Sequence, residues 1–312
     1  EGNVTAQIVV VRGHPVKLAP EQRWPLSMNW MFQVSPAERA AGHLSATSTA
    51  SVSQALKQHG AVLLRDALPT QLIDALKSDF DAQWSAFTAA EMRDKARLPP
   101  PNPVLRVGEE RYEVVLKIKG AFLQSGIFAN DLVCNFLAGA LDPGMKLSGF
   151  TAVLSFPGAK QQHIHTDGPR LFNDAEPSAS LPHYAINVSI PLIDVTAEIG
   201  GTGIWLGSHQ WGPRRAPQPH EMTNVEFRRG DCILIDYRTL HAGLPNISMI
   251  ARPILYMVYA RPWFFDEFNH RGRPSLDMDI EDFEALAPHV QNLLMRAYSQ
   301  RMRAQYLTST KS

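Results

Sequence analysis

The stretch RRGDCILIDYRTLHAGLPN, residues 228–246, places a histidine just beyond a short apolar run. The run CILIDY is rich in Ile and Leu, and Gly230 and a polar turn bound it on either side. Apolar runs of this length between turn residues predict a strand that is buried on both faces. His241 is therefore expected at the mouth of a buried strand.

Similar β-type runs, split by Gly, Pro and Asn, lie on both sides of this stretch. They are LSGFTAVLSFPG (147–158), QQHIHTD (161–167), HYAINVSIPLID (183–194), TGIWLG (202–207) and RPILYMVYARPW (252–263). Such spacing is typical of a sandwich or barrel. Elsewhere apolar residues recur at helical spacing. The predicted helices are about 49–58, 70–90, 129–141 and 280–307, and the proline-rich stretch 91–110 is interpreted as a loop.

We interpret residues 1–312 as a single domain, mostly β with flanking helices. Its expected parts are an N-terminal arm (1–45), a helical support region (46–144), a β core (145–265) and a C-terminal helical segment (266–312).

Composition excludes several classes of function. Thirty basic residues balance thirty acidic ones, so no overall field draws in nucleic acid or an anionic membrane. Cys134 and Cys232 are too far apart for a zinc motif and give no disulfide framework. No run approaches the ~20 apolar residues of a membrane span. The start of the sequence does not resemble a secretory signal, so a cytoplasmic protein is expected.

The candidate chemistry lies in His165, Asp167 and His241. Side chains alternate across a strand, so His165 and Asp167 share one face of QQHIHTD. Two imidazoles and one carboxylate on one face are the ligands of a mononuclear iron that activates O₂. Arg252 opens the strand RPILYMVYA, eleven residues after His241. An arginine on an apolar strand face is costly unless it meets an anion, and the distal carboxylate of a dicarboxylate would supply one.

The combination of HIHTD, GGTGIWLGSH, RRGDCILIDYRTLHAGLPN and the His241-to-Arg252 interval resembles the phytanoyl-CoA dioxygenase-like branch of the Fe(II)/2-oxoglutarate dioxygenases. The resemblance covers about residues 150–262. It implies a double-stranded β-helix (jelly-roll, cupin-like) core, with Fe(II), 2-oxoglutarate and O₂ as cofactor and cosubstrates. It further implies that His165, Asp167 and His241 bind iron, and that Arg252 binds the C5 carboxylate of 2-oxoglutarate.

Further residues are candidates for contact with the cosubstrate. Thr202 stands where relatives often carry a small polar residue, and His163 where some place a glutamine. Two departures from the family concern the surroundings of the iron: Leu206 replaces a proline, and Gly243 offers no hydroxyl where some relatives have serine.

Several side chains have two interpretations at this point. Thr202 suits a simple turn as well, and Arg252 suits an ordinary ion pair. The others are Lys117 and Lys119 (cosubstrate or solvated strand face), Asn187 and Ser189 (pocket lining), Trp205 and Phe172 (core or substrate wall), Ser208 and His209 (turn or catalysis) and Arg170 (acidic substrate or solvent).

The predicted reaction oxidises a small organic molecule, most simply by hydroxylation, with release of succinate and CO₂. The expected assembly is a monomer or homodimer. Two rivals stay open: a cupin-like metalloenzyme that does not use 2-oxoglutarate, and a non-catalytic binding protein on the same barrel.

Overall fold

The computed structural model describes residues 8–11, 14–17, 30–168, 171–172, 180–212, 215–266, 268–270 and 273–309. Its strands are β1 (Ile8–Val11), β2 (His14–Lys17), β3 (Met31–Gln33), β4 (Ala61–Arg65), β5 (Val104–Gly108), β6 (Arg111–Val115), β7 (Lys146–Ser155), β8 (Ala185–Pro191), β9 (Thr202–Ile204), β10 (Thr223–Val225), β11 (Cys232–Asp236), β12 (His241–Gly243) and β13 (Arg252–Ala260). Its helices are α1 (Pro36–Ala41), α2 (Ala46–His59), α3 (Thr70–Trp84), α4 (Ala89–Lys95), α5 (Gly120–Gln124), α6 (Asp131–Ala140), α7 (Ile280–Glu284) and α8 (Pro288–Ser309).

Eight strands form the major sheet, in the order β3-β4-β11-β8-β13-β7-β6-β5. All neighbours in it are antiparallel except β3 and β4, which are parallel. A minor sheet contains β10-β9-β12, and an isolated bridge between His165 and His241 extends it by one more segment. β1 and β2 pair with each other as a separate two-stranded sheet.

The two faces of the major sheet contact different partners because side chains alternate along each strand. On the outer face, Leu234, Val188 and Leu255 belong to a large apolar core that includes residues of α2, α3, α5 and α6. On the inner face, Ile233 and Ile254 pack with Ile204 of the minor sheet. The inner face also carries polar side chains, and these lie around the candidate site.

The helical boundaries follow local signals. Ser35 and Glu38 form a capping box at the start of α1, and Gly60 ends α2 in the left-handed conformation, with φ of 69°. Two expectations were wrong. The helix predicted to reach Ala90 ends at Trp84, and the predicted loop 91–110 contains most of α4 and all of β5.

The region 46–144 contributes more than helices, because β4, β5 and β6 are strands of the major sheet. Likewise, β3 of the N-terminal arm pairs with β4. The C-terminal helix predicted over 280–307 is divided into α7 and α8. The mostly β fold with flanking helices is confirmed, whereas the division into parts of one domain stays a prediction.

Candidate metal centre and anion site

Three side chains that the sequence singled out meet at one point between the sheets. One ligand atom from each of His165, Asp167 and His241 lies within 4.8 Å of the other two. The centroids of the two imidazole rings are 4.5 Å apart, and Nε2 of His241 is 3.4 Å from Oδ1 of Asp167. Two neutral imidazoles and one carboxylate are a donor set suited to a divalent iron with open positions.

Backbone pairing holds the two histidines opposite each other. His165 donates its N–H to the carbonyl of His241 at 3.0 Å, and His241 donates in return at 2.9 Å. The turn before His241 is anchored to the end of α2, because Asp236 N–H and the Thr239 hydroxyl both donate to the Gly60 carbonyl. A Cβ on Gly60 would collide with Thr239 and His209, so this anchor requires glycine.

The hydrogen bonds of both rings determine which nitrogen is free. Nδ1 of His165 lies 2.9 Å from the His163 carbonyl, and Nδ1 of His241 lies 3.0 Å from the Thr239 carbonyl. A carbonyl oxygen only accepts, so each Nδ1 carries the proton and donates it. The Nε2 lone pair of each neutral ring is therefore available to a metal.

Asp167 is kept ionised despite its burial. Burial by itself would raise its pKa, but His241, His165 and a hydrogen bond from Asn187 outweigh this and lower the pKa to about 2. Asn187 lies on the inner face of β8, as the sequence predicted. Its amide donates to Oδ2 of Asp167 at a distance of 2.9 Å. Burial lowers the pKa of His165 to about 4, which favours the neutral ring that binds metal.

Arg252 lies on the inner face of β13 and is 1 % exposed. Its Nη1 donates to the carbonyls of Gly200 and Gly201, and its Nη2 donates to the Ser155 hydroxyl at 2.8 Å. Its buried Nε has no hydrogen-bond partner among the described residues. Burial lowers its pKa, since its hydrogen-bond partners are all neutral.

A second buried arginine, Arg111, was missed by the sequence reasoning. It lies on β6 in register with Ser155, which in turn pairs with Arg252, so the three residues form one row across β6, β7 and β13. Arg111 Nη2 donates to the carbonyls of Leu244 and Lys160, while its Nε and Nη1 have no partner in the part of the chain that the structure describes. The only signal in the sequence was an arginine opening the run RYEVV.

The sequence profile described as phytanoyl-CoA dioxygenase (PhyH) matches residues 56–254, well over half of the chain. The chain belongs to the phytanoyl-CoA dioxygenase family. The family predicted from the sequence is thus confirmed.

Named fungal proteins are similar to this family member. Dioxygenase af480 of Aspergillus fumigatus is 27% identical over 250 residues, which cover 77% of this chain and 74% of that protein. The iron/alpha-ketoglutarate-dependent dioxygenase penM of Penicillium thymicola is 26% identical over 200 residues, and the match covers 60% of each chain.

Among solved structures, EvdMO1 aligns with a TM-score of 0.50 and 22% identity, over 67% of this chain and 49% of that one. This likeness concerns the fold, and the predicted jelly-roll core with flanking helices is confirmed.

The other predicted residues of this dioxygenase-family chain occupy different positions. Thr202 is buried at the start of β9, in register with Gly243 and close to Tyr256. His163 is exposed; its ring centroid lies 5.0 Å from that of His165, and its carbonyl holds the His165 ring. Ser189 faces inward, and its buried hydroxyl has no hydrogen-bond partner within the described ranges.

The lysines lie away from the site. Lys117 forms an ion pair with Asp279 at 2.8 Å, and Lys119 is exposed at the start of α5. Ser208 and His209 form a turn in which the Ser208 hydroxyl accepts from Leu240 N–H. Trp205 is buried, and its indole N–H donates to the Gln218 carbonyl. Phe172 is exposed. Arg170 lies outside the described residues.

Proposed function

We propose that His165, Asp167 and His241 bind Fe(II), and that Arg252 binds the C5 carboxylate of 2-oxoglutarate. The predicted class of enzyme, a 2-oxoglutarate-dependent oxygenase, is confirmed at the level of the family and of relatives such as penM. The observation that carries the assignment of residues is the convergence of the three ligand atoms within 4.8 Å, with each imidazole turned to present Nε2.

Bound Fe(II) and 2-oxoglutarate supply the activation of O₂, with release of succinate and CO₂. The protein positions the groups that bind them. The carbonyls of His163 and Thr239 orient the two rings, and Asn187 orients the carboxylate of Asp167. Arg252 would hold the distal carboxylate of the cosubstrate through charge-assisted hydrogen bonds.

The surroundings of Arg252 also favour an enzyme that uses 2-oxoglutarate over a cupin-like metalloenzyme that does not. Its partners among the described residues are two carbonyls and one hydroxyl, and none carries a negative charge. A buried guanidinium with neutral partners fits a site that receives a carboxylate from outside the protein. A binding protein or a metalloenzyme without a dicarboxylate needs no such cation.

The substrate we propose is a small organic molecule in the cytoplasm. Both cysteines are free thiols, which suits a reducing compartment. In the described part of the chain no helix has the length and apolar character needed to span a membrane. Hydroxylation is the proposed outcome, and Thr202 and His163 are proposed to line the cosubstrate end.

The test is an anaerobic titration of the purified protein with Fe(II) and 2-oxoglutarate. The expected result is a weak visible charge-transfer band that disappears in His241→Ala. The control His220→Ala removes an exposed histidine outside the cluster and should leave the band intact. Iron binding without the band would favour a metalloenzyme that does not use 2-oxoglutarate, and no iron binding would favour a non-catalytic protein. Succinate release across a metabolite panel then identifies the substrate.

A further inference from the structure

We propose that Arg273 is a contact for the substrate and that it binds an uncharged oxygen, such as that of a ketone, lactone, ester or hydroxyl group, and not a carboxylate. The carboxylate of Glu113 already balances the charge of this guanidinium. The role of Arg273 rests on the proposed function, and it defines the chemical class of the substrate.

The chain after β13 returns to the metal centre at Asn269. The Asn269 amide donates to the backbone carbonyl of Asp167 at 2.7 Å and to Oδ2 of Asp266 at 2.8 Å. The Tyr237 hydroxyl donates to the same Asp266 oxygen at 2.9 Å. Asn269 is thus fixed against one of the three proposed metal ligands, and the side chains that follow it are candidates for the wall of the substrate cavity.

His270 shows where this part of the chain lies on the major sheet. A Cβ built on Gly149 would lie 3.2 Å from Nε2 of His270. Gly149 pairs with Val258, and Val258 pairs with Asn187, whose amide holds Asp167. This row on the inner face spans about 10 Å, since neighbouring strands are about 4.8 Å apart. His270 therefore lies on the inner face, at the β7 side of the metal centre.

Arg273 reaches the same region and is held there by two groups. Its Nε donates to the Asn269 carbonyl at 3.1 Å, and its Nη2 lies 2.8 Å from Oε2 of Glu113. Glu113 leaves the same face of β6 as Arg111, two residues away. The Arg273 side chain is 6 % exposed, and its buried Nη1 has no hydrogen-bond partner among the residues that the structure describes. One end of a fixed guanidinium therefore lacks an acceptor.

The charges around Arg273 decide which acceptor suits it. A buried donor without an acceptor is costly, so a ligand oxygen that accepts from Nη1 would be stabilising. A substrate carboxylate would bring a second negative charge close to Glu113, which is unfavourable. The neighbouring His270 does not offset that repulsion, because burial lowers its pKa and favours the neutral ring. An uncharged carbonyl or hydroxyl oxygen meets the donor without adding charge.

The alternative is an ion pair with a purely structural role, which joins β6 to the chain after β13. Removing one partner of such a pair would lower stability but would not change which molecules bind. A substrate contact predicts a change in the preference between charged and uncharged ligands.

Pairs of a carboxylic acid and its methyl ester separate the two roles, because at neutral pH the members differ mainly in charge. The probes are a panel of alicyclic and aromatic pairs, such as cyclohexanecarboxylic acid and methyl cyclohexanecarboxylate. Each compound is added anaerobically to the protein with Fe(II) and 2-oxoglutarate, and its Kd is measured from the change in the visible charge-transfer band. In wild type we expect the esters to bind about 10-fold more tightly than the acids.

Two variants change the charge balance in opposite directions. In Glu113→Gln the guanidinium charge is no longer balanced, so the acids should gain about 10-fold relative to the esters. In Arg273→Gln the donor is lost, so the esters should bind about 10-fold more weakly while the Kd of 2-oxoglutarate stays unchanged.

The control is Glu109→Gln, which removes the carboxylate of an exposed ion pair with Lys160 and should leave the preference unchanged. If Arg273→Gln fails to fold, the wild-type preference and Glu113→Gln carry the test. A wild-type preference for the acids, the same preference in Glu113→Gln as in wild type, or a panel in which no ester changes the band would overturn the role of Arg273. A wild-type protein that forms no band with Fe(II) and 2-oxoglutarate would instead overturn the proposed function.

Discussion

Two aspartates of this protein, the buried Asp236 and the partly buried Asp167, each lie beside histidines, but their surroundings differ. Asp236 contacts His183, with 2.5 Å between its Oδ2 and the ring Nδ1, and Asp167 lies between His165 and His241. Burial would raise the pKa of both carboxyl groups, yet interactions with the neighbouring histidines, and with Arg238 at Asp236, lower it in each case. A lowered pKa therefore does not distinguish the two clusters.

The cationic partner distinguishes them. Arg238 donates Nε and Nη2 to the two oxygens of Asp236, at 2.8 and 2.7 Å, and its backbone N–H donates as well. The Asp167 carboxylate accepts a hydrogen bond from the Asn187 amide and faces two imidazoles. We infer that the Asp236–His183 pair is structural, because a guanidinium binds both carboxylate oxygens. In the part of the chain that the structure describes, the Asp167 carboxylate has no such guanidinium, and its cluster has the geometry of a metal site.

The largest effect expected from this comparison is on the free energy of unfolding of Asp236→Asn. Removing the buried carboxylate abolishes its charged contacts with Arg238, so the protein should lose about 3–5 kcal/mol. Denaturant unfolding measures the loss, and iron binding at the Asp167 cluster should persist. The control Asp94→Asn breaks an exposed ion pair with Arg97 and should change stability by no more than about 0.5 kcal/mol. A small loss at Asp236 would contradict its structural role.

The pH dependence of unfolding offers a second test of the same carboxylate. Because folding lowers the pKa of Asp236, its contribution is present above the unfolded-state pKa, near 3.8, and is lost as pH falls below it. The difference in unfolding free energy between wild type and Asp236→Asn should therefore be largest near neutral pH and shrink below about pH 4. Parallel stability curves from pH 7 to pH 2 would show that the carboxylate contributes nothing through its charge.

Strand periodicity explains which site residues the sequence predicted. Asn187 was placed on the inward face of β8 because alternation within a strand is a local property. His165 and Asp167 were placed on one face of a predicted strand QQHIHTD. The two side chains do converge, but residues 161–167 have only an isolated bridge at His165, so the predicted strand was wrong. Arg111 was missed since its position depends on β6 lying two strands from β13, and a sequence does not state the order of strands in a sheet. Gly60 was missed for the same reason, because its contact with Thr239 joins distant segments.

One error had a local cause. Thr88 and Glu91 form a capping box, a pattern that is readable in the sequence and that starts α4 inside the supposed loop. The prolines of RLPPPNPV outweighed this signal in the prediction.

Asn187→Ala tests the Asp167 side of the comparison and should have a moderate effect. Without the amide, the carboxylate loses its one amide hydrogen bond and is free to rotate from the two imidazoles, so Fe(II) affinity should fall about 10- to 100-fold. Equilibrium dialysis of Fe(II) under anaerobic conditions measures this. Ser189→Ala is the matched control, since it removes a buried inward side chain of the same strand that has no hydrogen-bond partner. Equal effects of the two variants would show that the orientation of Asp167 is unimportant.

The smallest effect is expected at Ser155, the neutral partner of Arg252. Ser155→Ala removes the acceptor of Arg252 Nη2, which is worth about 1 kcal/mol, so the Kd of 2-oxoglutarate should rise about fivefold. Ser148→Ala is the control on the same strand, because the Ser148 hydroxyl accepts from Arg296, at 2.9 Å, and not from Arg252. It should leave the affinity unchanged. An unchanged Kd of 2-oxoglutarate in Ser155→Ala as well would show that the hydrogen bond from Arg252 to Ser155 does not position the guanidinium for the cosubstrate.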